Sequence, residues 1–459
     1  MRAMQENYYI VFPNDERIAG RNFRTGPFHE ELVRAGCVFQ ERQGWERPGW
    51  FCKEGPVPVP KYDWFGAYGH PHNTDHRYEE QLKKDHTFVQ EQSLQIGEEC
   101  LACREQVSVF DLSSIGKYYL CGPDAQKAAN WLFTADTNRQ LGKTVYTCML
   151  NARAGIEGDV TSNVIEPGGG GLIDPIFKDR GFYITSLGAS PYTHIQSVIN
   201  QKKFNVEFID VSDKIGLLSI QGPNSEAILR DVVDTNLHNE AFPYSTSKLI
   251  KVAGHMCRVV RISYVGELGW EIHIPRDSCS SVYRAIWQQG SKHGLQHAGF
   301  RALQSLSCEK GNNLWNFDLQ ISDNPLEAGL SFLCRESGDY LGKEALDIIK
   351  HKGLSKKLVY FQLKEEIPLW GLEAIVRDDQ VVGYLRRGEY SYSFGLPIGL
   401  GYVKHPEGRR ISSSFLSEGH YQIEVMAKRY DATMCINSPF DPNGKRMLGI
   451  YDEPLPVRQ

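Results

Sequence analysis

A chain of 459 residues has room for about two to four domains with buried cores, and 41% hydrophobic with 23% charged residues is the balance of an ordinary globular protein. That balance excludes a disordered chain, and a net charge of −5 is too small for this length to mark a general nucleic-acid binder. No run of 18 or more apolar residues occurs, so no membrane partner is expected.

Eleven cysteines, an odd number scattered singly apart from Cys100 and Cys103, argue against a secreted disulfide framework and for a reducing compartment. The opening M-R-A-M-Q-E-N-Y-Y has neither a signal-peptide apolar core nor the Arg/Ser-rich composition of a transit peptide.

Residues 1–90 are dense in aromatics, prolines and charges and show little periodicity. They are expected to form a strap against something larger, with Trp45, Trp50, Phe51, Tyr62, Trp64 and Phe65 too many large aromatics for a solvated linker. An exposed apolar face on residues 25–65, prone to self-association, is the expectation.

From about 107 the texture changes. V-S-V-F-D-L-S, K-Y-Y-L-C-G-P, G-F-Y-I-T-S-L, V-E-F-I-D-V and G-L-L-S-I-Q-G-P read as short strands, several ended by Gly-Pro. Between them lie amphipathic helices opening at Asp124 and at Asn224 or Ser225, both residue types that cap helix N-termini. A second mixed unit runs from 245 to 330, with helices near 278–292 and 298–310. After about 340 strands and turns dominate, and Asp378-Asp379 between apolar runs fits a hairpin turn. That closing stretch reads as a small β-barrel or jelly roll.

Candidate sites divide into weak and informative. G-G-G-G at 168–171 lacks the Lys-Ser/Thr of a phosphate loop and reads as a flexible loop; no G-x-G-x-x-G follows a strand. Cys100-x-x-Cys103 has no second ligand pair, and His70, His72 and His76 read as exposed loop histidines before they read as metal ligands.

N-A-R-A-G-I-E-G-D-V-T (151–161) is more informative. Ile156, Gly158 and Val160 alternate with Glu157, Asp159 and Thr161, as in a strand with one polar side, although Asp beside Gly most often sits at a turn. In S-Y-V-G-E-L-G-W-E-I-H-I-P (263–275) two strand-like pieces flank a Gly-rich bend, with Tyr264 and Glu271 at its ends. A carboxylate and a phenol on one pocket wall suit a planar heterocycle with an amidine-like N–H edge.

These two strings, with S-I-Q-G-P-N-S-E-A-I-L, A-G-F-R-A-L-Q-S-L-S-C-E-K-G and N-P-L-E-A-G-L-S-F, are similar, in order, to the folate-binding aminomethyltransferase of the glycine-cleavage T-protein family. Within it, the strap C-V-F-Q-E-R-Q-G-W-E-R-P-G-W-F and the tail S-P-F-D-P-N-G-K-R-M-L-G-I-Y resemble the C-terminal half of the sarcosine and dimethylglycine dehydrogenase group.

The resemblance implies an α+β fold of mixed α/β units followed by a C-terminal barrel or jelly roll, divided as 1–90 connector, 91–340 folate-binding domain and 341–459 barrel. It implies tetrahydrofolate as ligand, capturing a one-carbon unit from oxidised sarcosine as 5,10-methylenetetrahydrofolate. Asp159 is the implied catalytic residue beside the folate nitrogens, Tyr146 and Thr161 flank it, and Tyr264 and Glu271 hold the pterin ring. The FAD domain of that group has no counterpart in this sequence, so FAD is not expected here, and a separate flavin domain is an implied partner. The mitochondrial matrix is the implied location.

Three departures from the family stand beside these: Ala154 replaces the first of a Gly-Gly pair, Asn312-Asn313 replaces Tyr-Arg, and Leu303 stands where the T-protein has a pocket arginine, with Arg301 out of register. Ala154 is expected to shift the backbone near Asp159, because glycine alone takes positive φ readily. The competing reading is a non-catalytic regulatory protein on the same scaffold, like the regulatory subunit of pyruvate dehydrogenase phosphatase.

Overall fold

The computed structural model describes residues 21–55, 90–167, 175, 177–188 and 190–456. His70, His72, His76, the Gly168–Gly171 run, Tyr62, Trp64 and Phe65 lie outside them.

Helix α1 (His29–Arg34) leads into an antiparallel hairpin of β1 (Cys37–Arg42) and β2 (Trp45–Phe51). The aromatics here are not an exposed face: Trp45 is 9% and Trp50 2% exposed, and Phe51 stacks on His297 at 4.7 Å between ring centroids. The period of this stretch is blurred because both faces of the hairpin are buried. Cys37 and Phe39 enter one core with Leu218, Ile220 and Trp270, whereas Val38 and Trp50 enter another with Phe300 and Leu306.

The next elements, in order, are α2 (Gln90–Glu105), β3 (Val107–Asp111), β4 (Gly116–Cys121), α3 (Ala125–Leu132), β5 (Thr144–Leu150), β6 (Ile156–Ile165), β7 (Gly181–Ser186), α4 (Ser190–Lys202), β8 (Glu207–Asp210), β9 (Ile215–Gln221) and α5 (Ser225–Arg230). Then come β10 (Thr246–Val252), β11 (His255–Arg261), β12 (Gly269–Pro275), α6 (Cys279–Gly290), β13 (Leu295–His297), α7 (Phe300–Lys310) and α8 (Lys343–Lys352).

They build a five-stranded sheet, β5-β6-β7-β4-β8, and a six-stranded sheet, β10-β11-β12-β9-β3-β13, in which β13 alone pairs in parallel. The first sheet buries Val160, Val164, Phe182 and Ile184 against α3 and α4. The second buries Ile220, Trp270, Ile272 and Ile274 against α5 and α6. Side chains alternate across a strand, so the residues between these point the other way, toward the interior between the sheets.

Asp124 and Asn224 do precede α3 and α5, yet neither side chain caps its helix. Asp124 instead accepts the Asn205 N–H at 2.9 Å, and Asn224 donates to the His293 carbonyl at 3.3 Å, each tying the helix start to another segment.

Strands β14 (Lys356–Leu363), β15 (Ala374–Arg377), β16 (Gln380–Ser391), β17 (Leu396–Lys404), β18 (Tyr421–Val425) and β19 (Lys428–Cys435) follow, with α9 (Ser413–Ser417) before β18. Because β14 pairs with both β17 and β19, they close a barrel and not a jelly roll. Asp378 and Asp379 turn the β15–β16 hairpin with φ of 48° and 64°, the left-handed pair that matches strand twist.

A buried charge network joins these parts. Arg104 of α2 donates to Glu309 of α7 and to Glu267, each at 2.8 Å, and to the Val265 carbonyl at 2.7 Å. Glu309 also accepts from the Ser393 hydroxyl at 2.9 Å, and Arg446 donates to Glu267 at 2.8 Å.

Candidate functional site

Asp159 stands in the middle of β6, opposite Cys148 of β5, and not at a turn. The turn lies earlier: Asn151 accepts the N–H groups of Arg153 and Gly155 at 3.0 Å each, and the Ile156 N–H donates to the Asp323 carbonyl at 2.9 Å. Ala154 does not straighten this bend. It takes the left-handed conformation itself, with φ of 65°, its methyl wholly buried in a core with Leu150, Ile156 and Tyr340. Packing thus holds an alanine in the conformation glycine adopts without strain.

With Val160 turned into the helix layer, Asp159 and Thr161 face the interior. Thr161 pairs with Tyr146 across β5–β6, and the Tyr146 hydroxyl donates to Asp159 Oδ2 at 2.7 Å. Asp159 Oδ1 is buried and has no hydrogen-bond partner among the described residues. Burial raises the Asp159 carboxyl to about 6; the Tyr146 bond lowers it in part and the charge of Asp318 adds to the rise. Burial, chiefly, also pushes the Tyr146 phenol up.

Tyr264 is placed by a loop. The strand expected to reach it ends at Arg261, because Ser263 Oγ accepts the N–H groups of Gly266 and Glu267 at 2.9 Å each and Gly266 takes φ of 86°. The Tyr264 hydroxyl donates to the Asn313 carbonyl at 3.0 Å, while Asn312 Nδ2 donates to the Tyr264 carbonyl at 2.6 Å. The two asparagines that depart from the family pattern therefore grip this tyrosine at both ends.

Behind them stands Arg387 of β16, a residue the sequence reading missed. Its Nη2 lies 2.8 Å from Asp318 Oδ2 and donates to the Asn312 carbonyl at 2.8 Å, and its Nη1 donates to Ser307 Oγ at 3.1 Å. The sequence shows only an Arg386-Arg387 pair in a strand of mixed polarity, which does not tell an inward arginine from a solvated one. A register shift between Leu385 and Arg387 lets both arginines turn toward acids, Arg386 to Asp323 at 3.1 Å and Arg387 to Asp318.

Glu271 lies on β12, opposite Ser219 of β9 and Val260 of β11. It is 7% exposed.

Tyr146, Asp159, Thr161, Tyr264 and Glu271 all line one cavity of about 2310 Å³. Its further walls include Arg47 of the hairpin, Arg301 and Leu303 of α7, and Arg387 of the barrel. An arginine two positions from Leu303 thus reaches the same space. The volume exceeds the roughly 300–1,000 Å³ typical of a small-molecule pocket, so size sets no bar to an extended ligand.

Cys100 and Cys103 are buried free thiols whose pKa values burial pushes up, which makes them poor nucleophiles. Among the described residues no group of His, Cys, Asp and Glu is arranged to hold a metal.

Comparison with known proteins gives a consistent outcome. The profile of the GCVT N-terminal domain matches residues 28–337, and that of the glycine cleavage T-protein C-terminal barrel domain matches residues 356–441. Human mitochondrial sarcosine dehydrogenase is 49% identical over 453 residues, covering 97% of this chain and 49% of that protein. The mitochondrial pyruvate dehydrogenase phosphatase regulatory subunit of Mus musculus is 29% identical over 452 residues, covering 94% and 48%. The chain spans about half the length of both. Among solved structures, glycine cleavage system aminomethyltransferase T from Bartonella henselae superposes with a TM-score of 0.68 at 19% identity, over 90% of this chain and 96% of that one, which establishes a shared fold.

Proposed function

This chain belongs to the glycine-cleavage T-protein (aminomethyltransferase) family, and on that premise we propose that it is a tetrahydrofolate-binding, one-carbon-transfer module related to sarcosine dehydrogenase. In this reading it captures the carbon released by oxidative demethylation of sarcosine as 5,10-methylenetetrahydrofolate. We divide it into a connector (1–90), a folate-binding domain (91–340) and a barrel (341–459). The human relative's mitochondrial designation supports the mitochondrial matrix as its location.

One observation carries the proposal. Asp159 has one carboxylate oxygen bonded to Tyr146 and the other buried with no partner among the described residues, on the wall of a cavity that Tyr264 and Glu271 also line. Such acceptors suit a ligand rich in ring N–H groups, because a buried acceptor left unpaired costs free energy that a donor recovers. Bound tetrahydrofolate would supply the two amine nitrogens, one in the reduced pterin ring and one on its side chain, that the one-carbon unit bridges.

The chain's own residues do the rest. Glu271 accepts from the N–H edge of the pterin, and Tyr264, fixed at both ends, offers its ring to the pterin face. Asp159 takes up the proton released as carbon is added, with Tyr146 holding its carboxylate in place and Thr161 beside them.

Titration of the chain with 5-formyltetrahydrofolate, followed by tryptophan fluorescence, tests the reading. Saturable binding is expected, weakened about tenfold or more in Glu271→Ala and little changed in Asp159→Asn, whose defect lies in carbon transfer. Absence of saturable binding at millimolar ligand sinks the proposal and favours a non-catalytic regulatory role.

A further inference from the structure

Strand β12 buries Trp270, Ile272 and Ile274 in one core and turns Glu271 and His273 the other way. Glu271 lines the cavity, whereas His273, 1% exposed, stands behind it. The Tyr183 hydroxyl of β7 lies 2.9 Å from His273 Nδ1, the two rings meeting edge-on at 86°. On its other side His273 Nε2 is buried, makes no hydrogen bond among the described residues and sits 3.7 Å from Glu271 Oε2.

We propose that His273 is a positioning residue for Glu271: Tyr183 donates to Nδ1 and so fixes the proton on Nε2, where the N–H aims at the Glu271 carboxylate and orients it toward the ligand. The proposal rests on the folate reading of Glu271.

The argument is one of tautomers. Burial lowers the His273 pKa, which keeps the ring neutral with a single N–H; Glu271 opposes that shift, and Lys117 and Arg258 are the cations facing the ring. With the proton on Nδ1, the Nε2 lone pair would confront a carboxylate in a buried setting, an acceptor against an acceptor. With the proton on Nε2, the same contact is attractive, about 0.5 Å beyond hydrogen-bond length, and Nδ1 becomes an acceptor for the Tyr183 hydroxyl. An outer partner that fixes a histidine tautomer, and through it the inner ligand-binding group, is a recurring device of binding sites. The free oxygen of Glu271 then faces the ligand in one orientation.

Two measurements test this. In the first, the full chain is titrated with 5-formyltetrahydrofolate: His273→Gln, which keeps an N–H donor in place of Nε2, binds within about threefold of wild type, while His273→Ala loses about tenfold. In a Glu271→Ala background His273→Ala has no further effect. Wild-type affinity in His273→Ala, or losses that add, overturns the proposal. If His273→Ala does not fold, Tyr183→Phe replaces it, with an intermediate loss expected and none overturning.

The second measurement needs no folate. Side-chain nitrogen NMR of the free protein reports a His273 ring protonated on Nε2, and a mixture of tautomers in Tyr183→Phe; a ring protonated on Nδ1 in wild type overturns the proposal. Should the wild-type chain bind no folate, the functional reading fails, and the NMR result alone decides whether His273 aims its N–H at Glu271.

Discussion

The Tyr146 hydroxyl donates to Asp159 Oδ2 at 2.7 Å, while Oδ1 of the same carboxylate is buried and accepts from none of the described residues. A half-satisfied carboxylate is poised between its two protonation states. The pKa of about 6 expresses this, against roughly 3.9 for an unperturbed aspartate.

The sign of the pH dependence follows. A carboxyl whose folded pKa is raised binds its proton more tightly when folded, so Asp159 lowers stability above pH 6, and that penalty disappears below about pH 4. Asp159→Asn, a neutral stand-in for the protonated carboxyl, should therefore be more stable than wild type at pH 8 by about 2–3 kcal/mol, the worth of about two pH units in which the Tyr146 bond is already contained. At pH 4 the two proteins should unfold at the same urea concentration. One-carbon transfer by wild type should decline as pH falls through about 6.

Tyr146→Phe removes the hydrogen bond that favours the ionised carboxylate. The acid limb of the pH–rate profile should move upward by about one unit with the folate Kd within a few-fold of wild type. An unmoved limb places the titration on another group.

Ala154 tests what packing imposes on backbone. Ala154→Gly relieves the left-handed strain but loses a buried methyl and adds unfolded-state entropy, three contributions of about 1 kcal/mol each, so stability should change by no more than about 1 kcal/mol. Ala154→Val puts a β-branched side chain at positive φ in a filled core, and a loss of about 3 kcal/mol is expected in urea denaturation.

Arg104→Met leaves Glu267 and Glu309 buried, with Arg446, Tyr451, Ser391 and Ser393 to serve them among the described residues. Breaking a buried pair from one side typically costs about 3–5 kcal/mol. The serines and Arg446 place the expected loss near the lower end, about 3 kcal/mol, readable as a lowered urea midpoint. A loss under about 1 kcal/mol would mean the network contributes little.

Local order was legible where one strand face is buried. The alternation from Ile156 to Thr161 told which side Asp159 takes, and β3, β4, β7, β8 and β9 announced themselves through β-branched and aromatic runs. The hairpin β1–β2 was not legible as a hairpin, since burial of both faces erases the period. Tyr264 was misread as part of a strand because the hydroxyl of Ser263 ends the strand through its own turn. Arg387 escaped altogether: its partners Ser307, Asn312 and Asp318 lie some 70 to 80 positions away, and nothing local distinguishes a barrel arginine that turns inward from one in solvent.

Glu99 carries a mechanical consequence. Its carboxylate accepts the N–H of Phe51, at the end of the hairpin, at 2.7 Å and the N–H of Gly299, at the start of α7, at 2.8 Å. Gly299 meets the Gly49 carbonyl so closely that no side chain fits between them, and Arg47 lies over the Phe300 ring at 4.2 Å. Hairpin and helix start are thus welded into one lever, and Arg47, Phe300 and Arg301 on that lever are cavity wall. The hairpin and the start of α7 therefore share one set of buried contacts, and through them the placing of three cavity-lining residues depends on a carboxylate far from Asp159 in sequence.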